Sequence, residues 1–493
     1  MNARQIVYQR PCPKIIIKDP ETGKTVKSKN SGAELEFIAG KNTNLLSYSF
    51  TLSINDISGS FSATFYPDYN DGKGNTFSLF DDFEKLQIVE IYEGNGTSSE
   101  KPVFCGIIRS KKYVAQTNDS GGHRRISITG TAITGLVSQF YINLDVAACA
   151  MTKELRTQAE LIKKLTINGE KEKEEKEVKK KKGKEVKEIV KMVWDCFYEI
   201  SQQIGTPKIK EYIERFAGSI ETLFDVDGSK FHYPLGCIFK GQTTQDFFSL
   251  IDEIIPSPCY EKFAYMGTDG KMKIKMRLVP FSSKNWKELE HTPIPATVLQ
   301  SFDLTESDNE VYTAFYAYLN GYPVDEQKSL MISTTIDKAG IDEVLKETEA
   351  FKTYGYRPMI AHFIGYGTKD GKQDSDTHSG MVEMSEKLKE WYENLPDMLK
   401  GSVTLSMVFD GNNATNKIQP GEVVQFLEGE FYVEGVTHSW NYGQGGEVNL
   451  SVSRGGKYLD SGKFKGKIEN LTSLVSLLQK GQDSNKNLLT IRR

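Results

Sequence analysis

Residues 46–65 read LSYSFTLSINDISGSFSATF and contain two segments in which apolar and polar residues alternate. The first segment spans 46–54 and the second spans 59–65. A period of two places one face of a strand on a core and the other face towards solvent. Asp56 and Gly59 favour a break between the two segments. The stretch therefore predicts a β-hairpin with one buried face.

Three further stretches in the first part of the chain have the same strand-like character, at 86–92, 103–108 and 125–130. Five or six strands joined by short turns are typical of a small antiparallel barrel or sandwich. We therefore expect such a unit over residues 35–140, closed by a short helix at 131–144.

The composition bounds the class of protein. The 493 residues suit roughly three or four domains. The 62 basic and 66 acidic residues give a net charge of −4, so no basic excess indicates a specific nucleic-acid partner. No apolar run approaches the roughly 18 residues of a membrane span, and the N-terminus has no signal-peptide core. Six scattered cysteines without a CxxC pair favour isolated reduced thiols.

A charged run interrupts the chain at residues 170–188, which hold nine lysines and seven glutamates. Such a run is typical of a solvated helix or a mobile loop. The alternative is a docking element for an oppositely charged partner, although the mixed signs argue against nucleic acid. We expect the surrounding region to be helical.

The second half of the sequence predicts a return to β structure. The segment 401–409 alternates apolar and polar residues, and strands are also expected at 423–427, 430–440 and 446–454. The intervening residues 335–400 have mostly helical patterning.

The C-terminal tail carries an apolar stripe at helical spacing, formed by Ile468, Leu471, Leu474, Val475 and Leu478. An isolated terminal helix must bury such a stripe against another surface. The last four residues are therefore candidate interface residues, packed on their own domain or in the groove of a partner or second copy.

The sequence shows no constellation that carries catalysis. The six histidines form no HxH, HExxH or HxxxH motif, and neither a nucleophile elbow nor a phosphate-binding loop is present. We therefore expect no catalytic residues, no metal site and no cofactor. His438 lies in a predicted strand, where neighbouring polar groups would satisfy it, and Trp440 is expected in a core or interface.

Three stretches carry motifs in a defined order along the chain. The first comprises NDISGSFSATFY (55–66), PVFCGII (102–108) and ISITG (126–130), the second CYEKF (259–263) and RLVPF (277–281), and the third PG (420–421), FYVEGVTHSW (431–440) and LSVSRG (450–455). Together they resemble the baseplate hub proteins of contractile phage tails and related injection machines, which are also related to the barrel part of type VI secretion spikes. The run at 170–188 departs from the family pattern and is interpreted as an insertion.

The resemblance implies a structural role with no enzymatic activity. Hubs of this family are homotrimers in which each subunit supplies two small tube-like barrels. The six barrels form a ring that matches the sixfold tail tube, and the other face receives a threefold spike or tip. The expected partners are therefore the tube protein, the spike or tip protein, other baseplate proteins and the tape-measure protein. The protein would be made in the bacterial cytoplasm and reside in the baseplate of a phage, a bacteriocin or another injection particle.

The resulting fold prediction is α+β and mainly β, with two small antiparallel β-barrels and helical or mixed α/β insertions. The predicted division is an N-terminal barrel (1–144), a helical region with the charged insert (145–230), a mixed α/β domain (231–296), a discontinuous second barrel (297–325 plus 401–456), a helical α/β insertion (326–400) and the tail (457–493).

Three alternatives remain at the level of sequence. A tail-associated cell-wall hydrolase with a hub-like scaffold would need a catalytic domain, and only about 38 residues follow Gly455. A type VI spike would continue into repeating β-strands, and no such repeat occurs. A carbohydrate-binding β protein would need tryptophans exposed in a groove.

Overall fold

The computed structural model describes a defined set of residues. They are 12–39, 44–70, 76–94, 101–118, 121–139, 141–143, 184–185, 190–191, 194–195, 207–218, 224–226, 232–233, 244–247, 249, 260–280, 283–319, 332–333, 349–363, 385–408 and 417–468. The centre of the charged run at 170–188 and the four candidate residues of the tail lie outside this set.

The N-terminal unit consists of nine strands and a closing 3-10 helix at Ile133–Gln139. The strands are Lys14–Lys18 (β1), Glu36–Ile38 (β2), Leu45–Ser53 (β3), Asp56–Phe65 (β4), Asp68–Asn70 (β5), Thr76–Ser78 (β6), Ile88–Tyr92 (β7), Phe104–Asn118 (β8) and Gly121–Ala132 (β9). The hairpin predicted at 46–65 is therefore present as β3 and β4. The strand expected at 103–108 extends ten residues further, because β8 and β9 form a long ribbon.

Short strands and helices connect the two halves of the chain. They are Tyr141–Asn143 (β10), Lys184–Glu185 (β11), Pro207–Ala217 (α1), Phe224–Val226 (β12), His232–Tyr233 (β13), Thr244–Asp246 (β14), Tyr260–Met266 (β15), Met272–Leu278 (β16), Ser283–Glu288 (α2) and His291–Pro293 (β17). β12, β16 and β15 form a three-stranded sheet.

The second half begins and ends in β structure. Its elements are Leu299–Thr305 (β18), Ala314–Leu319 (β19), Ile332–Ser333 (β20), Glu349–Tyr354 (α3), Pro358–Phe363 (β21), a helix at 385–392, a 3-10 turn at Leu395–Asp397, Leu399–Ser406 (β22), Val423–Phe426 (β23), Gly429–Asn441 (β24), Gly445–Tyr458 (β25) and Phe464–Gly466 (β26). We call β17, β18 and β22–β26 the second unit. β19 lies in a separate sheet with β20 and β21, so it pairs with the insertion.

The main sheet runs without interruption from one unit into the other. Its strand order is β18-β22-β25-β24-β3-β4-β9-β8-β7-β1-β2, and β24 of the second unit pairs antiparallel with β3 of the N-terminal unit. The predicted mainly β α+β fold is confirmed. Within the described residues the strands do not close into two separate barrels, because the edges of β3 and β24 pair with each other. The predicted domain boundaries stay predictions.

Two glycines of the resemblance motifs permit close strand contact in the N-terminal unit. A Cβ on Gly106 would lie 2.6 Å from the Thr131 carbonyl oxygen, and a Cβ on Gly130 would collide with the carbonyl oxygen of Ile107. Both sites also adjoin the ring of Phe61, which is buried. Glycine is therefore required where β8 and β9 cross this aromatic core.

Candidate assembly surface

One face of the main sheet is lined by small hydroxyl and amide side chains. Register pairs connect them across eight strands, from β18 to β8. We call this set the hydroxyl face. It comprises Ser301, Ser402, Thr404, Asn449, Ser451, Thr437, Ser439, Ser47, Ser49, Thr51, Ser60, Ser62, Thr64, Ser127, Thr129 and Ser110. All of these side chains are partly or fully exposed, while their alternating neighbours on the other face form the core.

Hydrogen bonds between hydroxyl groups join neighbouring strands on this face. Ser49 Oγ lies 3.1 Å from Ser62 Oγ within the first hairpin. Thr51 Oγ1 lies 2.9 Å from Thr437 Oγ1, across the junction between the units. Side-chain pairs of this kind contribute to strand pairing. The face is therefore a continuous polar wall that passes over the junction without a break.

A buried polar cluster fixes the junction from the core side. His438 Nδ1 on β24 donates to Glu93 Oε2 at 2.8 Å, and the Tyr48 hydroxyl on β3 donates to Glu93 Oε1 at 2.9 Å. The side chains of His438 and Glu93 are 1% and 0% exposed. Burial is the main cause that raises the pKa of Tyr48 well above its ordinary value, and the negative charge of Glu93 raises this pKa further. The phenol therefore stays protonated and remains a donor to the carboxylate.

Aromatic rings surround this cluster. The His438 ring stacks on Phe50 with centroids 4.4 Å apart, and Trp440 stacks on Tyr48 at 6.1 Å. The hydrogen-bonded strand residue expected at His438 and the core or interface position expected at Trp440 are both observed. The sequence did not identify the partner, because Glu93 lies 345 residues away on the end of β7.

A second buried cluster joins the β15–β16 sheet to the second unit. Arg277 Nε donates to Glu261 Oε1 at 2.5 Å, and the Tyr432 hydroxyl donates to the same carboxylate. The Nη2 atom of Arg277 donates to the carbonyl oxygen of Gly421 at 2.6 Å. Burial acts to lower the pKa of Arg277, but the Glu261 charge raises that pKa overall. Residues from the second and third resemblance motifs are therefore in contact. We call this group of Glu261, Arg277, Gly421 and Tyr432 the clamp.

Arg454, the arginine of the third motif, also has a structural role. Its guanidinium lies 3.4 Å from the centroid of the Trp391 ring and donates to the Trp391 carbonyl oxygen. A cation over an indole face is attracted by the ring quadrupole. This contact packs the helix at 385–392 against β25.

Three observations on the described residues bear on a metal site, on carbohydrate binding and on a membrane span. In that part of the chain no group of three or more His, Cys, Asp or Glu could hold a metal ion. All four tryptophans are at least nine-tenths buried, so none of them is the exposed groove tryptophan that the carbohydrate-binding alternative would need. Across the described ranges, no helix combines the length and apolar character needed to cross a membrane.

The tail prediction is tested at one position. Ile468 is 7% exposed and belongs to the core of the second unit, so the apolar stripe begins on its own domain. Leu471, Leu474, Val475 and Leu478 lie outside the described residues and remain interface predictions.

Comparison with known proteins found similarity at the level of solved structures. No family model matches the sequence, and no curated protein matches it significantly. A tail protein from Neisseria meningitidis MC58 is 10% identical with a TM-score of 0.45, over 90% of this chain and 97% of that one. The 43 kDa tail protein of prophage MuSo2 from Shewanella oneidensis is 11% identical with a TM-score of 0.43, over 93% and 100%.

A third similar structure is an E. coli protein described as a component of the type VI secretion system with structural similarity to bacteriophage T4 tail proteins. It is 9% identical with a TM-score of 0.37, over 86% of this chain and 76% of that one.

Proposed function

We propose that this protein is a structural, non-enzymatic baseplate hub that joins a sixfold tail tube to a threefold spike or tip and continues the central channel. The observation that carries the proposal is the uninterrupted run of eight antiparallel strands in the main sheet, from β18 to β8, with a single exposed hydroxyl face. An enzyme presents a concave site with converging reactive groups. This surface is instead long, polar and uniform, as a channel wall should be.

The layout of the sheet supports two equivalent positions per chain. Read in one direction along the sheet, the second unit contributes the order β18-β22-β25-β24 and the N-terminal unit contributes β3-β4-β9-β8. In each unit the first, second, fourth and third of these four strands, counted along the chain, follow one another, so the two orders match strand for strand. Three copies would then offer six similar four-stranded segments to a sixfold tube. Features that occur once per chain, such as the β15–β16 sheet and the insertion with β19, would present threefold symmetry to a spike.

The dimensions of such a ring suit a channel. Three copies would bring together about 24 strands, spaced about 4.8 Å apart and tilted by about 35°. The backbone diameter would be about 45 Å, wide enough for several helices of about 10–12 Å each. Hydroxyl side chains bind passing polymers weakly, because they carry no charge and no large apolar surface. The hydroxyl face would therefore line the channel without trapping the cargo.

The proposed location is the baseplate of a tail-like particle assembled in the bacterial cytoplasm. The tube protein would stack on one rim of the ring and the spike or tip on the other, with further baseplate proteins and the tape measure as additional partners. A particle without a genome, such as a bacteriocin, would use the same ring.

The test combines solution mass with electron microscopy of the purified full-length chain. We expect a mass of three times 55.5 kDa by light scattering, and rings with an open centre in negative stain. A Ser62→Cys variant should label with a small maleimide on the inner wall, and a Lys284→Cys variant should label on the outside. Globular monomers that degrade peptidoglycan in a zymogram would refute the hub and support the cell-wall hydrolase.

A further inference from the structure

The two ends of the eight-strand run from β18 to β8 carry opposite charges. At one end, the ribbon of β8 and β9 carries five cations and no Asp or Glu among its described residues. These cations are Arg109, Lys111, Lys112, Arg124 and Arg125. At the other end, residues 299–310 of β18 and its following turn carry four acids and no Lys or Arg. These acids are Asp303, Glu306, Asp308 and Glu310.

Some of these charged groups already have partners within the chain. Lys111 donates to the Phe80 carbonyl oxygen at 2.7 Å, and Arg124 pairs with Asp68 at 2.7 Å. Glu310 pairs with Lys400 at 3.1 Å. By contrast, no ion pair to another described residue is formed by Lys112, Arg125 or Asp303, and all three are exposed. These three charges lie on the hydroxyl-face side of their strands.

Both end strands also have an open edge in the described part of the chain. β18 pairs with β22 on one side, and the portion of β8 beyond Ile108 pairs with β9 on one side. An exposed strand edge presents unpaired N–H and C=O groups and is a template for another strand.

We propose that β18 of one copy pairs with the outer part of β8 in the next copy, and that Asp303 recognises Lys112 and Arg125 across this contact. The inference rests on the proposed ring and specifies the surface that closes it. Every neighbouring pair between β18 and β8 is antiparallel, and this run contains eight strands. The two end strands therefore run in opposite directions. A second copy related by simple rotation would continue the antiparallel order.

The expected stagger of a ring brings these charges together. The residues directly paired from strand to strand, starting at Ser301 on β18, include Thr404, Asn449 and Thr51. This line of paired residues reaches β8 next to Ile108. Eight strands tilted by about 35° shift the contact along the edge by about eight residues. β7 already pairs with the edge of β8 before Ile108. A strand from another copy can therefore pair only with the part of β8 beyond Ile108, towards the tip of the ribbon.

With that shift, Asp303 of one copy falls opposite Val114 of the next. Val114 is the direct register partner of Arg125 on β9, and Lys112 is the next residue on the same face of β8. Asp303 would then face two cations, with Lys112 diagonally opposite on β8 and Arg125 one strand further away on β9. Charge pairs at an open edge select the partner and the register more than they add affinity.

The arrangement also excludes the simplest wrong assembly. Two copies could in principle pair β8 with β8 or β18 with β18 around a twofold axis. Each of these contacts would set like charges against one another, which is destabilising for directly opposed strand residues. Only the head-to-tail contact matches opposite charges, and head-to-tail contacts form a ring when the rotation between copies closes.

The test reverses the charge on one side of the proposed contact at a time, and then on both sides together, which restores the opposite charges across it. Asp303→Lys, and separately Lys112→Glu combined with Arg125→Glu, should weaken association by about tenfold or more in sedimentation velocity. The chain that carries all three changes should recover the wild-type association. Glu447→Lys is the matched control, because Glu447 is exposed on the same side of the sheet but lies in its middle, on β25. Circular dichroism should show that all variants are folded.

A direct readout comes from zero-length carbodiimide crosslinking of mixed isotope-labelled and unlabelled wild-type protein. We expect an amide between Asp303 and Lys112 that joins a labelled to an unlabelled copy. If the wild type is trimeric and the reversals leave it trimeric, or the triple change fails to restore association, the edge assignment is wrong while the ring stands. A wild-type chain that stays monomeric at low salt and yields no intermolecular crosslink overturns both the edge assignment and the ring.

Discussion

Replacing His438 by phenylalanine should destabilise the junction between the two units strongly. The aromatic stack on Phe50 would be retained, but Glu93 would lose the donor that lies 2.8 Å from its Oε2 atom. Removing one partner of a buried charged pair typically costs about 3–5 kcal/mol, because the remaining charge is left uncompensated. The Tyr48 hydroxyl also donates to Glu93, but its bond is to the Oε1 atom and does not replace the lost donor to Oε2.

Removing the whole cluster should be much milder. A chain with Glu93→Leu, Tyr48→Phe and His438→Phe leaves no buried charge and keeps the volume of the core nearly unchanged. Apolar replacement of a buried ion pair is often neutral or stabilising by about 1–4 kcal/mol. The triple variant should therefore be within about 1 kcal/mol of the wild type or more stable.

The assay is urea unfolding of the full chain followed by circular dichroism, with thermal scans in parallel. A loss of about 3–5 kcal/mol should lower the melting temperature of the affected unit by about 6–20 °C, at about 2–4 °C per kcal/mol. Ser439→Ala, on the hydroxyl face of the same strand, is the control and should stay within about 0.5 kcal/mol of wild type. A His438→Phe chain as stable as this control would refute the reasoning, as would a triple variant no more stable than His438→Phe.

Three further outcomes follow from the structure. Gly130→Ala should cost about 3 kcal/mol or more in urea unfolding, because the new methyl group collides with the Ile107 carbonyl oxygen; soluble protein of wild-type stability would contradict this. Burial and the nearby Glu290 raise the pKa of Glu422 from 4.5 to about 8, so the folded chain holds a proton that the unfolded chain releases. Stability should therefore fall as the pH rises from about 4.5 to 8, and Glu422→Gln should lose this part of the dependence and exceed the wild type above pH 8; parallel pH profiles would argue against the shift. Deleting residues 170–188 should leave the melting temperature of both units unchanged in a thermal scan, because the run has almost no apolar content; a collapse of stability would show that the run is structural.

Local patterning was sufficient to predict most of the main sheet. The alternation at 46–65 predicts the bounds of β3 and β4 to within three residues, and the segments at 401–409 and 446–454 correspond to β22 and β25. Side chains that alternate between two faces leave a period of two in the sequence itself. The same period identified which residues of each strand face the core.

Several motif residues were recognised without their physical role. Glycine is required at position 130 because β8 and β9 lie very close together there. Arg277 forms a buried ion pair with Glu261. Their order along the chain indicated a family, but a list of motifs does not contain distances. The clamp became visible only once the β15–β16 sheet was placed against Tyr432.

The sequence by itself determined the strands, their buried faces, the mainly β class and the absence of any recognised catalytic motif. Only the tertiary structure decided that β3 pairs with β24, so that Thr51 and Thr437 share a hydrogen bond across 386 residues. The physical reason is that every strand edge offers the same backbone donors and acceptors, so local sequence cannot specify a neighbour. That choice depends on how the whole core packs and on a few buried partners such as Glu93 and His438. The continuity of the hydroxyl face, and with it the proposed channel wall, is a consequence of that pairing.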